Sequence, residues 1–172
     1  MTELFSAALR TERPEVALRL LRDSDAEALF SLIDQNRAHL SQYGEKVARD
    51  HPDLASVLDS IRFTKTGRAR YGIRDAGRLV GSASIGNGDN GSAVIGYWVV
   101  PPFLRRGYAR LAVEALVAEA FRLRYPEVCA VTHADNLPSQ KVLLKAGFAL
   151  DRESLYTSLR AMQLCFSRVR TN

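Results

Sequence analysis

The sequence predicts an α+β (mixed α/β) fold in a single domain, and three observations predict it. Short runs rich in β-branched and aromatic residues recur from Val16 to Val169, bounded by Gly, Pro, Asn and Asp. Between them lie stretches whose apolar residues repeat at helical spacing. The 172 residues are enough for one domain and for a sizeable core.

Composition narrows the class. Apolar residues are 47% of the chain and charged residues 25%, which is globular rather than disordered. The net charge of +5 suits a polyanionic ligand, an acidic partner or a solvated surface. Lys and Arg are scattered rather than gathered on one element, so no nucleic-acid partner is expected. Cys129 and Cys165 each sit in a strand-like run and are expected to be reduced. The first residues carry Glu3 and Glu12 and no long apolar block, and no run reaches membrane-spanning length. The expectation is a cytoplasmic protein with no membrane partner and no metal.

In chain order, Met1 to Pro14 reads as a loose lead-in and Val16 to Leu21 as the first strand. Ser24 with Glu27 forms a capping box before a helix carrying Ala28, Leu29, Leu32 and Ile33. Asn36-Arg37-Ala38-His39-Leu40 opens a second short helix ending near Gly44. Asp50 to Asp53 starts a third, with Leu54, Val57, Leu58 and Ile61 inward and Gly67 as its stop. Ala69–Arg74 and Leu79–Ile85 flank the hairpin turn Asp75-Ala76-Gly77-Arg78. Gly86-Asn87-Gly88-Asp89-Asn90-Gly91 spells a dinucleotide fingerprint, but a strand follows it instead of the helix that a pyrophosphate needs, so it is read as a loop.

Ala93 to Val100 reads as a buried strand, stopped by Pro101 and Pro102. A long helix follows from about Tyr108 to Leu123, closed by Pro126. Val128 to Thr132 is a continuous apolar run, read as a strand covered on both faces. Asn136 to Lys145 reads as a short helix with Pro138 near its start and Gly147 as its stop. Phe148 to Tyr156 and Leu159 to Val169 complete the strands.

Chemistry concentrates at Val99 to Arg110. A strand end, a basic loop and a helix N-terminus make an anion site, because the first helical turn has unpaired N–H groups and the positive end of the dipole. Arg105, Arg106 and Arg110 add charge, and Gly107 removes a side chain where an oxygen-rich ligand would approach. Arg105-Arg106-Gly107-Tyr108-Ala109 resembles the acetyl-coenzyme A pyrophosphate loop of the GNAT superfamily of N-acetyltransferases, although Leu104 stands where that pattern has Gln or Arg. One helix and one strand later, Asn136 to Phe148 resembles the second motif of the same family, in which an Asn follows the strand and a Gly-Phe pair ends the helix. Asn36-Arg37-Ala38-His39-Leu40, Gly96-Tyr97-Trp98 and Ser139 are similar to the RimJ/RimL branch, which modifies protein N-termini, ribosomal ones among them.

The resemblance implies a central sheet of about seven strands, splayed between the fourth and fifth, with helices on both faces. It implies that the pantetheine arm of acetyl-coenzyme A pairs with backbone groups of Val99 and Val100. It places the pyrophosphate on Leu104, Arg105, Arg106, Gly107, Tyr108, Ala109 and Arg110, with Asn136, Ser139 and Lys141 also on the cofactor. Asn36, Arg37 and Tyr97 are implied on the acceptor side. The substrate amine attacks the thioester directly.

Two common family positions are changed. The strand carboxylate that serves as general base is replaced by Val94 or Ile95, and the Tyr that serves as general acid by Leu144. Ser139 is then the candidate donor to the departing sulfur, with His133 as a possible relay; the competing reading of Ser139 is a helix cap. An α-amine has a pKa near ~7.8 against ~10.4 for lysine, a difference of roughly 3.5 kcal/mol in the cost of deprotonation. A site without a strong base therefore favours an N-terminal α-amine of a ribosomal or other protein. The alternatives are a small-molecule amine acetyltransferase of the same fold and a non-catalytic acyl-coenzyme A binding module, as monomer or homodimer.

Overall fold

The β-branched runs assemble into one eight-stranded sheet of order β1-β2-β3-β4-β5-β6-β8-β7 in the computed structural model, which describes residues 5–43, 46–62, 67–156 and 161–171. The strands are β1 (Ala8–Arg10), β2 (Val16–Leu20), β3 (Arg68–Asp75), β4 (Arg78–Asn87), β5 (Ala93–Val99), β6 (Glu127–His133), β7 (Ala149–Tyr156) and β8 (Ala161–Val169). The helices are α1 (Ala26–Asp34), α2 (Val47–Asp50), α3 (Leu54–Arg62), α4 (Tyr108–Arg122) and α5 (Leu137–Lys145). Every neighbouring pair is antiparallel except β5 with β6.

That parallel pair is where the sheet opens. β5 and β6 are in register only at Ala93↔Val128, Val94↔Cys129 and Ile95↔Ala130. Beyond Ile95 the two strands part, so the expected splay is present, counted one strand later because β1 precedes it.

The lead-in differs from expectation. Residues 8–10 pair with β2, and Phe5 and Leu9 are buried. Ser6 donates its backbone N–H to Glu119 Oε1 at 2.7 Å and its hydroxyl to Oε2 at 3.1 Å. The buried Glu119 carboxylate, also held by Arg122 at 2.7 Å, is what fixes this stretch.

Alternation divides the sheet into two faces. Tyr71, Ala83, Ile85, Ile95, Val128 and Ala130 pack with α4 and α5 residues in the main core. On the other face, Leu29 and Ile33 of α1 and Val57 and Ile61 of α3 form a second cluster, against which Leu79 and Trp98 pack. Helices therefore cover both faces, as expected.

Local details depart in four places. Ser24 does not cap α1; Asp25 turns back instead, its Oδ2 accepting the Arg22 N–H at 2.9 Å. Asn36 to Leu40 form turns and one short 3₁₀ turn at His39–Ser41 rather than a helix, and Gly44 lies outside the described residues. β6 is buried on one face only: Val128, Ala130 and Thr132 are covered, whereas Val131 is 46% exposed because the parted sheet leaves it at the opening. The fingerprint-like glycines form a loop with a 3₁₀ turn at Asp89–Gly91 leading into β5, as expected.

Candidate active site

The ladder between β4 and β5 decides which backbone groups face the opening. Val100 donates its N–H to Val80 O at 3.0 Å, so these two form a hydrogen-bonded antiparallel pair. Such pairs alternate along the ladder, so Trp98 and Gly96 also turn toward β4 while Val99 and Tyr97 turn away from it. Val99 and Tyr97 thus present amide and carbonyl groups at the gap where β6 has departed. This fits an extended pantetheine arm at Val99. Val100 does not share that role, because its N–H goes to Val80 and its carbonyl accepts from Phe103 at 3.0 Å. The Val99 carbonyl lies 3.2 Å from His39 Nε2. A carbonyl only accepts, so that ring nitrogen carries the proton.

The basic loop has the geometry of an anion cradle. Pro101–Phe103 form a 3₁₀ turn, then Arg105 and Gly107 take left-handed conformations at φ 60 and 84. Leu111 is the first residue of α4 to reach back, to Gly107 O at 3.0 Å. The amides of Arg105 to Arg110 donate to no backbone acceptor among the described residues. A side chain at Gly107 would meet nothing within 4 Å, so the approach to these amides is open. Alternating left-handed and ordinary conformations converge N–H groups on a concavity, which is a nest for phosphate oxygens.

The side chains around the loop divide. Arg105 and Arg106 are exposed, with the Arg106 guanidinium 5.7 Å from the Phe103 ring centre. Arg110 is already paired with Glu12 and, at 2.7 Å, with Glu114, so its charge is largely compensated within the chain. The Tyr108 ring is buried edge-on to Phe103, and its hydroxyl donates to Asp75 Oδ2 at 2.8 Å. Leu104, where the family pattern has Gln or Arg, is 43% exposed, and Lys141 is exposed on α5.

The parted strands bound a cavity of about 620 Å³. Tyr97 and Trp98 of β5, Val131 and His133 of β6, and Asn136 and Ser139 at the start of α5 line one end. Asn136 caps α5, its Oδ1 accepting the Ser139 N–H at 3.1 Å. Ser139 is therefore the capped residue and not the cap, and its hydroxyl is turned elsewhere. Its Oγ lies 2.8 Å from the Tyr97 phenol oxygen. Burial pushes the Tyr97 pKa up to about 12, although the hydrogen bond shared with Ser139 lowers it somewhat, so the phenol is protonated at neutral pH. His133 Nδ1 accepts the Asp135 N–H at 3.1 Å, which leaves Nε2 to carry a proton.

Asn36 and Arg37 are not brought to this cavity. The Asn36 amide donates back to Leu32 O at 2.8 Å. Arg37 pairs with Asp34 at 2.7 Å and donates to the Ala48 and His51 carbonyls at 2.8 and 3.2 Å, so it ties α1 to the α2–α3 connection. Leu144, the position of the family's Tyr acid, is 55% exposed and outside the cavity lining. Residues that sequence reasoning missed form the opposite wall: Lys46, Asp50, His51, Arg68 and Arg70. Only the period-two placement of Arg68 and Arg70 on β3 signalled that two arginines share a face.

A family model for the acetyltransferase (GNAT) domain matches residues 15–149. The chain belongs to the GNAT acetyltransferase family. It is 29% identical over 147 residues to the uncharacterized N-acetyltransferase YoaA of Bacillus subtilis, covering 81% of each chain. Among solved structures, it is similar to RimL, a ribosomal L7/L12 α-N-protein acetyltransferase in complex with coenzyme A, at TM-score 0.84 and 20% identity, covering 94% of this chain and 97% of that one. Mycobacterium smegmatis RimJ in complex with coenzyme A disulfide gives a TM-score of 0.81 at 22% identity, covering 94% and 87%. This GNAT protein is an acetyl-coenzyme A-dependent N-acetyltransferase. Bound acetyl-coenzyme A supplies the acetyl thioester, and the loop amides of Arg105 to Arg110 together with the β5 edge at Tyr97 and the Val99 N–H are the groups that would hold it. No described helix is long and apolar enough to cross a membrane.

Proposed function

We propose that this acetyltransferase acts on the N-terminal α-amine of a protein or peptide, and that Ser139 delivers the proton to the departing sulfur. The observation that carries this reading is the Tyr97–Ser139 hydrogen bond at the splay. A protonated phenol donating to Ser139 Oγ leaves the serine's own proton free to pass to a thiolate, which is the acid the site needs.

The acceptor follows from what the cavity wall lacks. Among its described residues the one carboxylate is Asp50, which is salt-bridged to Arg49 at 3.0 Å. Val94 and Ile95 hold the strand position of the family's base. A lysine must lose a proton at a cost roughly 3.5 kcal/mol above that for an α-amine, and this wall offers little to meet it. RimL, whose fold this chain shares, is described as an α-N-protein acetyltransferase, and that supports the same acceptor class.

Acetylation of a short peptide with a free N-terminus, compared with its N-blocked, lysine-containing counterpart at neutral pH, tests the reading. The free peptide is expected to turn over faster. Equal or faster acetylation of the blocked peptide would refute it.

A further inference from the structure

We propose that the acceptor carries a carboxylate within about three residues of its amine, an acidic N-terminal peptide, recognised by Arg70 with Arg68 beside it. This rests on the peptide-acceptor reading above and names its substrate class.

The charge arrangement is unusual for a wall. Arg70 rises from β3 into the cavity, and its Nη1 lies 3.1 Å from His51 Nε2. His51 Nδ1 lies 2.8 Å from the Val47 carbonyl, which can only accept, so Nδ1 holds the proton and Nε2 receives the Arg70 N–H. Burial, first of all, lowers the His51 pKa, and the Arg70 charge lowers it further. The imidazole is neutral, so the guanidinium's side-chain partner brings no negative charge. Asp50 stands on the same wall but pairs with Arg49. Among the described residues Arg70 makes no ion pair. Burial brings its pKa down to about 10, still far above neutrality, so it remains a cation. Asp50 acts on Arg70 only through space while it is paired with Arg49, so among the described residues this part-buried cation is undercompensated, and an acceptor carboxylate offsets that cost.

The floor leads from this cation to the chemistry. Arg70 lies opposite Ser84, and Ser84 opposite Gly96, across β3, β4 and β5. These are small residues on one face, and a side chain at Gly96 would come to 3.3 Å from Ser84 Oγ. The result is a shallow trough running across the strands toward the splay. Two strand spacings span about 10 Å, which an extended peptide covers in about three residues. An amine at the splay thus places the second to fourth acceptor residue near Arg70. Arg68, two residues earlier on the same face, is exposed at the rim, with Lys46 also in the wall.

The test is calorimetric titration of the enzyme saturated with coenzyme A, a complex that cannot turn over. Three free-N-terminal peptides are compared, identical except for Glu, Gln or Lys at the third position. The Glu peptide is expected to bind at least about tenfold tighter than the Gln peptide, with the Lys peptide weakest. Arg70→Gln is expected to abolish that ranking while leaving the melting shift given by coenzyme A intact. Equal affinities for Glu and Gln peptides, or a ranking that survives in folded Arg70→Gln, would overturn the proposal. If Arg70→Gln does not fold, Arg68→Gln decides: a reduced Glu preference supports the proposal and an unchanged one overturns it. Turnover with acetyl-coenzyme A is read separately. Arg70-dependent binding of a peptide that is never acetylated at its N-terminus would leave only a carboxylate-binding site at Arg70 and would overturn the N-terminal acceptor reading.

Discussion

The Tyr97 phenol oxygen lies 2.8 Å from the Ser139 hydroxyl, joining the free end of β5 to the first turn of α5 across the parted sheet. Asn136 fixes the other side of the serine by accepting its backbone N–H. The hydroxyl is therefore oriented by two residues from two elements. Ser139→Ala should lower kcat and kcat/KM together by on the order of 10²-fold, with coenzyme A affinity nearly unchanged. Tyr97→Phe should produce a smaller loss of the same kind, since it removes the orienting bond but not the proton donor. Asn136→Ala should cost about 1 kcal/mol of stability through the lost cap. Steady-state kinetics with thermal melts separate these effects; wild-type kcat in Ser139→Ala would remove the serine from the chemistry.

Much of the fold was legible because it rests on local pattern. β5 announces itself through Ile95, Tyr97 and Val99 alternating with Gly96 and Trp98, and the loop after it through its prolines, arginines and glycine. β1 was not legible. Ala8-Leu9-Arg10 is too short to show a period, and the carboxylate that fixes the preceding turn, Glu119, lies 113 residues from Ser6. The cavity wall was hidden for a similar reason: Arg70 and His51 are 19 residues apart and meet only because α2 folds over β3. Arg37 misled in the opposite sense. A motif-like arginine has its donors taken up by Asp34 and three nearby carbonyls, which only the folded chain reveals.

Gly107 gives a test of the cofactor loop. Its φ of 84 and the open space at its Cβ mean that a side chain there meets ligand before it meets protein. Acetyl-coenzyme A should raise the melting temperature of the parent protein by mass action. Gly107→Glu should abolish that rise by setting a carboxylate against the pyrophosphate. Any substitution at a left-handed glycine also carries a strain of roughly 1–2 kcal/mol. Gly91→Ala, at φ 75 with equally open space, carries the same strain away from the loop and should keep the full shift. Loss of the shift in both variants would show that strain, not charge, is responsible.

The cysteines should take no part in transfer. Cys165 is buried in β8 and Cys129 is half-buried in β6, and neither lines the cavity. Intact-mass measurement after mixing the enzyme with acetyl-coenzyme A alone should show an unmodified chain. A stable adduct of one acetyl group on either cysteine would mean that transfer proceeds through the enzyme rather than directly to the amine.

His51 should make stability depend on pH in the mildly acidic range. It is 5% exposed, and burial is the largest cause of its lowered pKa. The Val47 carbonyl and the Asp50 charge oppose that shift, while Arg70 and Arg37 add to it. A histidine whose folded pKa lies below its unfolded value near ~6.5 binds fewer protons folded than unfolded between the two values. Unfolding then takes up protons, so the stability contribution is complete above about pH 6.5 and is lost as pH falls below it. Protonation would also set a second cation against Arg70 and end the hydrogen bond that Nε2 accepts. The melting temperature of the parent protein should therefore drop between about pH 7 and pH 5 by more than that of His51→Gln, whose amide can still donate to Val47 and accept from Arg70 but cannot titrate. The variant should be somewhat less stable at neutral pH, with the gap narrowing as acid is added. Parallel melting curves for the two proteins across this range would show that the imidazole is not the group responsible.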